Sequence, residues 1–375
     1  MINEALEYMK NASSKLIKGC VAKTNDEKIG LFKPDGNGRY NSVWTRDFAY
    51  MVEYASELMD KNDVLLNLTY IIEHASPEGY IPDRVQPDGI AAIGFNRSGF
   101  PIGPLLDNGP FLIIAAESYI GLLDEASAKE IFIKWKDVLC QGIDWLPVNN
   151  NGIITIDENR PLVGYGFTDT VNKTGAVSKE TLLLWKALKL LSSRLQLYGY
   201  DADKYLLWIH KIENAFLSTF SDKSGMLYSA LGKCHQLDVF ASCYMISIGF
   251  PVEQKQRKMI AEWLVSNYDG VVEDGQIRHL PMGQYWESTY MNVDKNTYQN
   301  GAFWAVATGW FYDSIKEFYP EIARRTVFDV VNYFKTKGIY ECVCGEYQRV
   351  ETYVVSATNV YAALKQILAD NKENE

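Results

Sequence analysis

Residues 177–220 read VSKETLLLWKALKLLSSRLQLYGYDADKYLLWIHKIENAFLSTF, and this stretch decides the fold class. Leu182, Leu183, Trp185, Ala187, Leu188, Leu190, Leu191, Leu195 and Leu197 form a broad apolar band, wide enough for a helix packed on two sides. After a short break, Asp201-Ala202-Asp203 offers a cap for a second helix. That helix carries Tyr205, Leu206, Ile209, Ile212, Phe216 and Leu217 at three- and four-residue spacing. Two long helices joined by a tight turn make a helical hairpin.

The same unit recurs outward in both directions. Helical periodicity predicts twelve segments, at 2–18, 45–60, 63–75, 108–123, 127–146, 177–198, 202–220, 236–249, 253–266, 297–316, 320–336 and 355–370. Tight connections near 61–62, 124–126, 199–201, 250–252 and 317–319 alternate with long ones at 19–44, 76–107, 147–176, 221–235, 267–296 and 337–354. Gly249-Phe250-Pro251 marks one tight turn, with Gly closing a helix and Pro opening the next. No exact sequence repeat underlies the pattern, so the repetition is architectural. Strand signals are weak. Gly152–Ile156 and Tyr347–Val355 are expected to form short hairpins inside long loops and no fold-bearing sheet. The expectation is an all-α toroid of six hairpins, with residues 1–375 forming one domain and every long loop emerging on one face. Long loops in a compact domain are usually functional.

Composition narrows the partners. A net charge of −10 without a basic cluster argues against nucleic acid and anionic membrane. It also disfavours a strongly acidic substrate unless a local basic pocket overrides it. The first residues show no basic segment leading into an apolar run, so no signal peptide is expected. Apolar runs such as Phe111–Ala116 are too short to span a bilayer. Six cysteines without framework spacing suit reduced thiols in a cytoplasm. Oligomeric state is not legible.

The chemically loaded motifs fall in or beside the long loops. Val43-Trp44-Thr45-Arg46-Asp47-Phe48 sets an Arg fork and an acceptor carboxylate next to a flat indole. Such a trio suits sugar hydroxyls and a sugar face; equally, it is what a helix-start ion pair with a core Trp would look like. Gly79-Tyr80-Ile81-Pro82-Asp83-Arg84 repeats the Arg/Asp pairing. Asp107, in Leu106-Asp107-Asn108-Gly109, suits a helix N-cap before a substrate contact. In Gly164-Tyr165-Gly166-Phe167-Thr168-Asp169, a carboxyl between aromatics is placed to stay protonated and serve as a general acid, and equally reads as a loop Asp hydrogen-bonded to its own backbone. Trp286, with Tyr298-Gln299-Asn300, suits sugar stacking and hydroxyl recognition, whereas Trp304 and Trp310 read as helical core. Near the end, Glu341, Glu346 and Glu351 are three candidate general bases, each also readable as a solvated loop charge. Phosphate-cradling glycine loops, dinucleotide fingerprints, paired zinc histidines and serine elbows are absent from the sequence. No metal or organic cofactor is expected.

Together, the twelve helices, Trp44-Thr45-Arg46-Asp47, Gly166-Phe167-Thr168-Asp169, Tyr298-Gln299-Asn300-Gly301 and the terminal glutamate loop resemble the six-hairpin glycosidases. These are (α/α)6-barrel glycoside hydrolases such as glucoamylases, trehalases, processing α-glucosidases and the glucosidase part of glycogen-debranching enzymes. The resemblance implies an inverting, exo-acting hydrolase of a small neutral carbohydrate, with an α-glucoside as the leading substrate. It implies Asp169 as acid and Glu341 as base, Gly345-Glu346 following Glu341 as in the family. It matches Arg46 and Asp47 to the pair that holds the non-reducing-end sugar; Trp44, Asp83, Arg84, Asp107, Tyr165, Trp286, Tyr298, Gln299 and Asn300 are the further candidates for the sugar pocket. The chain departs from the family where Tyr165 and Phe167 replace a Trp-rich context around the acid, and where no β-sandwich stretch is seen. An unsaturated-uronide hydrolase, a phosphorylase and a non-catalytic sugar-binding toroid are the alternatives on the same scaffold.

Overall fold

A computed structural model describes residues 2–373. Its helices are α1 (Ile2–Gly19), α2 (Thr45–Ala55), α3 (Lys61–Glu73), α4 (Asn108–Ile120), α5 (Glu125–Asp144), α6 (Ser178–Leu197) and α7 (Asp203–Phe220). They continue as α8 (Val239–Ser247), α9 (Gln254–Ser266), the single turn α10 (Tyr268–Val271), α11 (Thr308–Ile315), α12 (Pro320–Lys337) and α13 (Val354–Glu373). Each of the twelve expected helices has a counterpart.

Two kinds of helix alternate. α4 and α8 are buried along nearly their whole length, as an all-round apolar sequence requires. α5, α9 and α12 bury one stripe only. Contacts follow this division. α2 packs on α4, α4 on α6, α6 on α8, α8 on α11, α11 on α13, and α13 back on α2. The outer helices lean on this circuit: α1 on α13, α5 on α4, α7 on α6, α9 and α12 on α11. One hydrophobic cluster runs from Ala5 to Ile367 through all of them. Close approach between layers has a local cause at Gly109, where a Cβ would lie 1.9 Å from the Gly142 carbonyl of the neighbouring outer helix.

Capping side chains move several boundaries from those expected. The Asp60 carboxylate accepts from Asn62 and Asp63 N–H, so α3 starts earlier and α2 stops at Ala55 before a short 3-10 turn. Asp124 does the same for α5, and Asp238 delays α8. Pro251 lies before α9 rather than in its first turn, and Glu253 takes the cap position. The expected helix at 297–316 is wrong in its first half. Tyr298 (φ 37°) and Gly301 (φ 115°) are incompatible with a right-handed helix, and Phe303–Trp304 is a strand. Trp304 is therefore core, as expected, but on a strand.

That strand belongs to a sheet the sequence did not reveal. Tyr347–Glu351, Tyr340–Cys344, Phe303–Trp304, Gln276–Arg278 and Val272–Glu273 pair in that order, all antiparallel. The strand begun at Tyr347 ends at Glu351, and Val354 and Val355 already belong to α13. Val148 and Ile154 bridge across the turn at 149–152 as the expected short hairpin, and Thr155–Ile156 also pairs with Gly175–Ala176. These strands tie the long loops to one another.

Candidate active site

The long loops line a cavity of about 990 Å³, at the upper end of the range for small-molecule sites. Trp44, Arg46, Asp47, Arg84, Asp169, Tyr298 and Glu341 all reach it from stretches widely separated in sequence.

The first wall is built on the start of α2. Val43–Trp44 pairs with Arg84–Val85 in the register Trp44↔Arg84, and this cross-strand pairing lays the Arg84 guanidinium over the indole at 4.7 Å. Thr45 fixes the junction by donating to the Pro82 carbonyl at 2.6 Å. Arg46 is buried and ion-paired with Asp107 at 3.3 Å and Asp83 at 3.7 Å. Asp107 stands at the N-cap position of α4 but makes no cap bond there. Its carboxylate instead accepts from Arg46 and from Gly166 N–H at 2.8 Å, so the capping role expected for it is replaced by bracing. Gly166 is required by close approach: a Cβ there would lie 1.7 Å from the Arg46 guanidinium carbon. Asp47 accepts from the Tyr353 hydroxyl, and burial pushes its pKa up to about 6.

Asp169 follows a 3-10 turn (Gly166–Thr168) whose Phe167 packs on Tyr50 and Trp304. It is buried, and desolvation raises its pKa to about 7 against the opposing charge of Arg46. Gln299 Nε2 donates to its Oδ1 at 2.8 Å, while Gln299 Oε1 accepts from Thr170 N–H and hydroxyl. The amide is thereby held in one orientation. Asn300 Oδ1 accepts from Trp286 N–H, and Trp286 Nε1 donates to the Gln299 carbonyl. Trp286, Gln299 and Asn300 are thus brought to the site but stand behind its wall, outside the cavity lining. Tyr165 is likewise buried behind it, with its hydroxyl 3.0 Å from that of Tyr50, and Asp83 and Asp107 do not line it either.

Glu341 lies on the Tyr340–Cys344 strand, and the hairpin return delivers Arg349 beside it. Arg349 Nε donates to Oε2 at 2.7 Å and the Tyr40 hydroxyl to Oε1 at 2.9 Å. Burial outweighs both and raises the pKa of Glu341 to about 7. The Arg349 guanidinium also lies over the Tyr298 ring at 3.8 Å. Glu346 and Glu351 are exposed and do not line the cavity.

Sequence reasoning missed Tyr40, Arg349 and Tyr353, and the segment from Ala91 to Phe100 that adds a further wall. Among the described residues, no cluster of His, Cys, Asp or Glu is disposed to hold a metal ion, and no helix is long and apolar enough to cross a membrane.

No family model and no curated protein matches the sequence. Solved structures do match in shape. The GH63 mannosylglycerate hydrolase from Thermus thermophilus, in complex with Tris and D-glycerate, superposes with a TM-score of 0.67 at 14% identity, over 94% of this chain and 99% of that one. A rhamnosidase from Klebsiella oxytoca with rhamnose bound gives 0.69 at 13% identity, over 97% of this chain and 64% of that one. A structure described as a wild-type glycosidase gives 0.64 at 12% identity, with 98% and 97% covered. The resemblance to six-hairpin glycosidases therefore holds for the fold along nearly the whole chain. Fold alone does not carry activity, so function rests on the site.

Proposed function

We propose that the chain is an exo-acting, inverting glycoside hydrolase, folded as one (α/α)6 toroid with the closed circuit of helices as its inner ring. The observation that carries this reading is that Asp169 and Glu341, the two carboxyls singled out by the resemblance, line one cavity, both buried and both with pKa values raised to about 7. Inversion needs one protonated acid and one carboxylate, roughly 6.5–9.5 Å apart to admit water.

Their surroundings divide the labour. Asp169 is buried without an ion pair of its own, and this desolvation outweighs the Gln299 hydrogen bond and favours the protonated carboxyl. Glu341 is clasped by a cation and a phenol, which favour the carboxylate. In the reaction, Glu341 takes a proton from water as its oxygen bonds to the anomeric carbon. The bond to the leaving oxygen breaks, and that oxygen takes the proton of Asp169. Arg46 and Asp47 hold hydroxyls of the terminal sugar, and Trp44 and Tyr298 offer faces to its ring. Asp83, Asp107, Tyr165, Trp286, Gln299 and Asn300 hold those groups in place. An α-glucoside is the first substrate to try, and the free thiols of all six cysteines suit a cytoplasmic location.

The test is incubation with a panel of α- and β-linked aryl glycosides and disaccharides, following the anomer of the released sugar by proton NMR. Release with inverted configuration is the expected result. Retention would sink the inverting mechanism, and the absence of release from every glycoside would sink the hydrolase.

A further inference from the structure

The charge of the cavity is at odds with that of the chain. Against a net charge of −10, five of the eleven arginines line this one cavity and none of the twenty-six lysines does. Arginine's planar fork matches an oxyanion in a way a lysine ammonium does not. Three of the five are already held: Arg46 by Asp83 and Asp107, Arg84 by Asp83, and Arg349 by Glu341.

Arg39 and Arg97 differ. Both are exposed, and neither has an ion-pair partner among the described residues. Asp35, the nearest acid to Arg39 in sequence, is engaged by the backbone N–H groups of Asn37, Arg39 and Tyr40. Arg97 lies against the Phe100 ring at 5.7 Å, and Phe100 is fixed in turn by Phe95 and Tyr290. The two belong to different long loops yet line the same cavity as the buried Asp169 and Glu341. Their exposure puts them toward its mouth, where a leaving group would extend beyond the terminal sugar. Beyond Asp47, Asp169 and Glu341, Asp294 is the sole carboxylate among the lining residues.

From this we infer that Arg39 and Arg97 receive an oxyanion on the leaving group, so that the substrate is a glycoside of an acidic aglycone. The inference rests on the hydrolase reading for its account of which end of the substrate leaves. It replaces the neutral substrate expected from the sequence, because two unpaired arginines on the cavity lining override the overall charge locally. The bond changes of hydrolysis stay as written above; the arginines hold the departing acid and offset its repulsion from the Glu341 carboxylate.

Carboxylate and phosphorus oxyanions share this chemistry, and matched probes separate them. The 4-carboxyphenyl, 4-phosphonophenyl and 4-carbamoylphenyl glycosides of the sugar released most readily in the panel would be compared by kcat/KM. Their Kd values would be compared on Asp169→Asn, where binding does not need turnover; if the panel releases nothing, the glucosides are used. The expected result is an anionic probe preferred over the neutral carbamoyl twin by about tenfold or more, equivalent to about 1.4 kcal/mol. The better of the two anionic probes names the source. The preference should shrink with added salt and fall toward unity in Arg39→Gln/Arg97→Gln, with Arg39→Lys/Arg97→Lys retaining part of it. Equal treatment of charged and neutral twins, a preference unmoved in the double Gln variant, or no binding of any probe would overturn the inference. A preference in Kd without hydrolysis by the unmodified protein would uphold the inference and end the hydrolase reading. Equal hydrolysis of all three would do the reverse.

Discussion

The walls around Asp169 and Glu341 reach the same acidity by different routes. Burial is the main cause on both sides, and both carboxyls end near pH 7. Around Asp169 the relief is indirect: Arg46 acts through space while its ion pairs go to Asp83 and Asp107, and the hydrogen bond comes from an amide. Around Glu341 the relief is direct, from Arg349 at 2.7 Å and Tyr40 at 2.9 Å. Two groups of equal pKa can thus differ in what they are poised to do. An ion pair holds Glu341 toward the carboxylate form, whereas Asp169 has no ion pair of its own to do the same.

The sharpest way to break the comparison is to remove each carboxyl. Asp169→Asn and Glu341→Gln should each lower kcat by a factor on the order of 10²–10⁴ with the far-UV circular dichroism unchanged. Full activity in either variant, measured on the best aryl glycoside, removes that residue from the mechanism.

Next in size is Gly166→Ala. The added Cβ would overlap the Arg46 guanidinium, so Arg46 and its two ion pairs must shift. Breaking a buried pair costs about 3–5 kcal/mol, which thermal denaturation would detect alongside a loss of activity. A melting temperature equal to that of the parent would show that the wall is softer than its packing implies.

Smaller effects separate the two walls through the pH profile. Arg349→Met removes a group that lowers the pKa of Glu341, so the acid limb of kcat/KM should move to higher pH and the bell should narrow. Gln299→Met removes a hydrogen bond that lowers the pKa of Asp169, so the alkaline limb should move to higher pH and the bell should widen. Both limbs moving together in either variant would mean that the two carboxyls titrate as a coupled pair.

The smallest effect concerns stability. Asp169 and Glu341 have folded pKa values raised from 3.8 and 4.5 to about 7. Between those limits these two groups hold more protons in the folded than in the unfolded chain, so their contribution to stability is full below about pH 4 and is lost as pH rises through about 7. Asp169→Asn should therefore gain about 2–4 °C in melting temperature at pH 8 and little at pH 4. A gain independent of pH would remove the desolvated charge as its cause.

Much of this was legible without coordinates where the signal was local. α6 and α7 follow from apolar spacing, because a helix is built from contacts three and four residues apart; the cap position of α7 falls to Ala202, with Asp201 just before it accepting from Asp203 N–H. The motif around Asp169 was legible because aromatics and glycines flank a single acid within one loop. The helix expected at 297–316 failed because Phe303–Trp304 pairs with Ile277, Arg278 and Val343, partners that periodicity cannot see. Trp286 and Asn300 read as sugar-facing residues, since an indole and an amide suit that role chemically. They turn out to bond one another behind the wall.

By itself, then, the sequence determined the helical hairpins, the long loops that line the cavity, and Asp169 with three terminal glutamates as the carboxyls to examine, all properties of short spans. Which glutamate of the terminal loop enters the cavity, which aspartates brace Arg46 and which arginines stand unpaired were decided by tertiary structure alone. The physical reason is that burial and partnership set the behaviour of a charge, and both come from residues far apart in the chain: Tyr40 reaches Glu341 across 301 positions, and Tyr353 reaches Asp47 across 306.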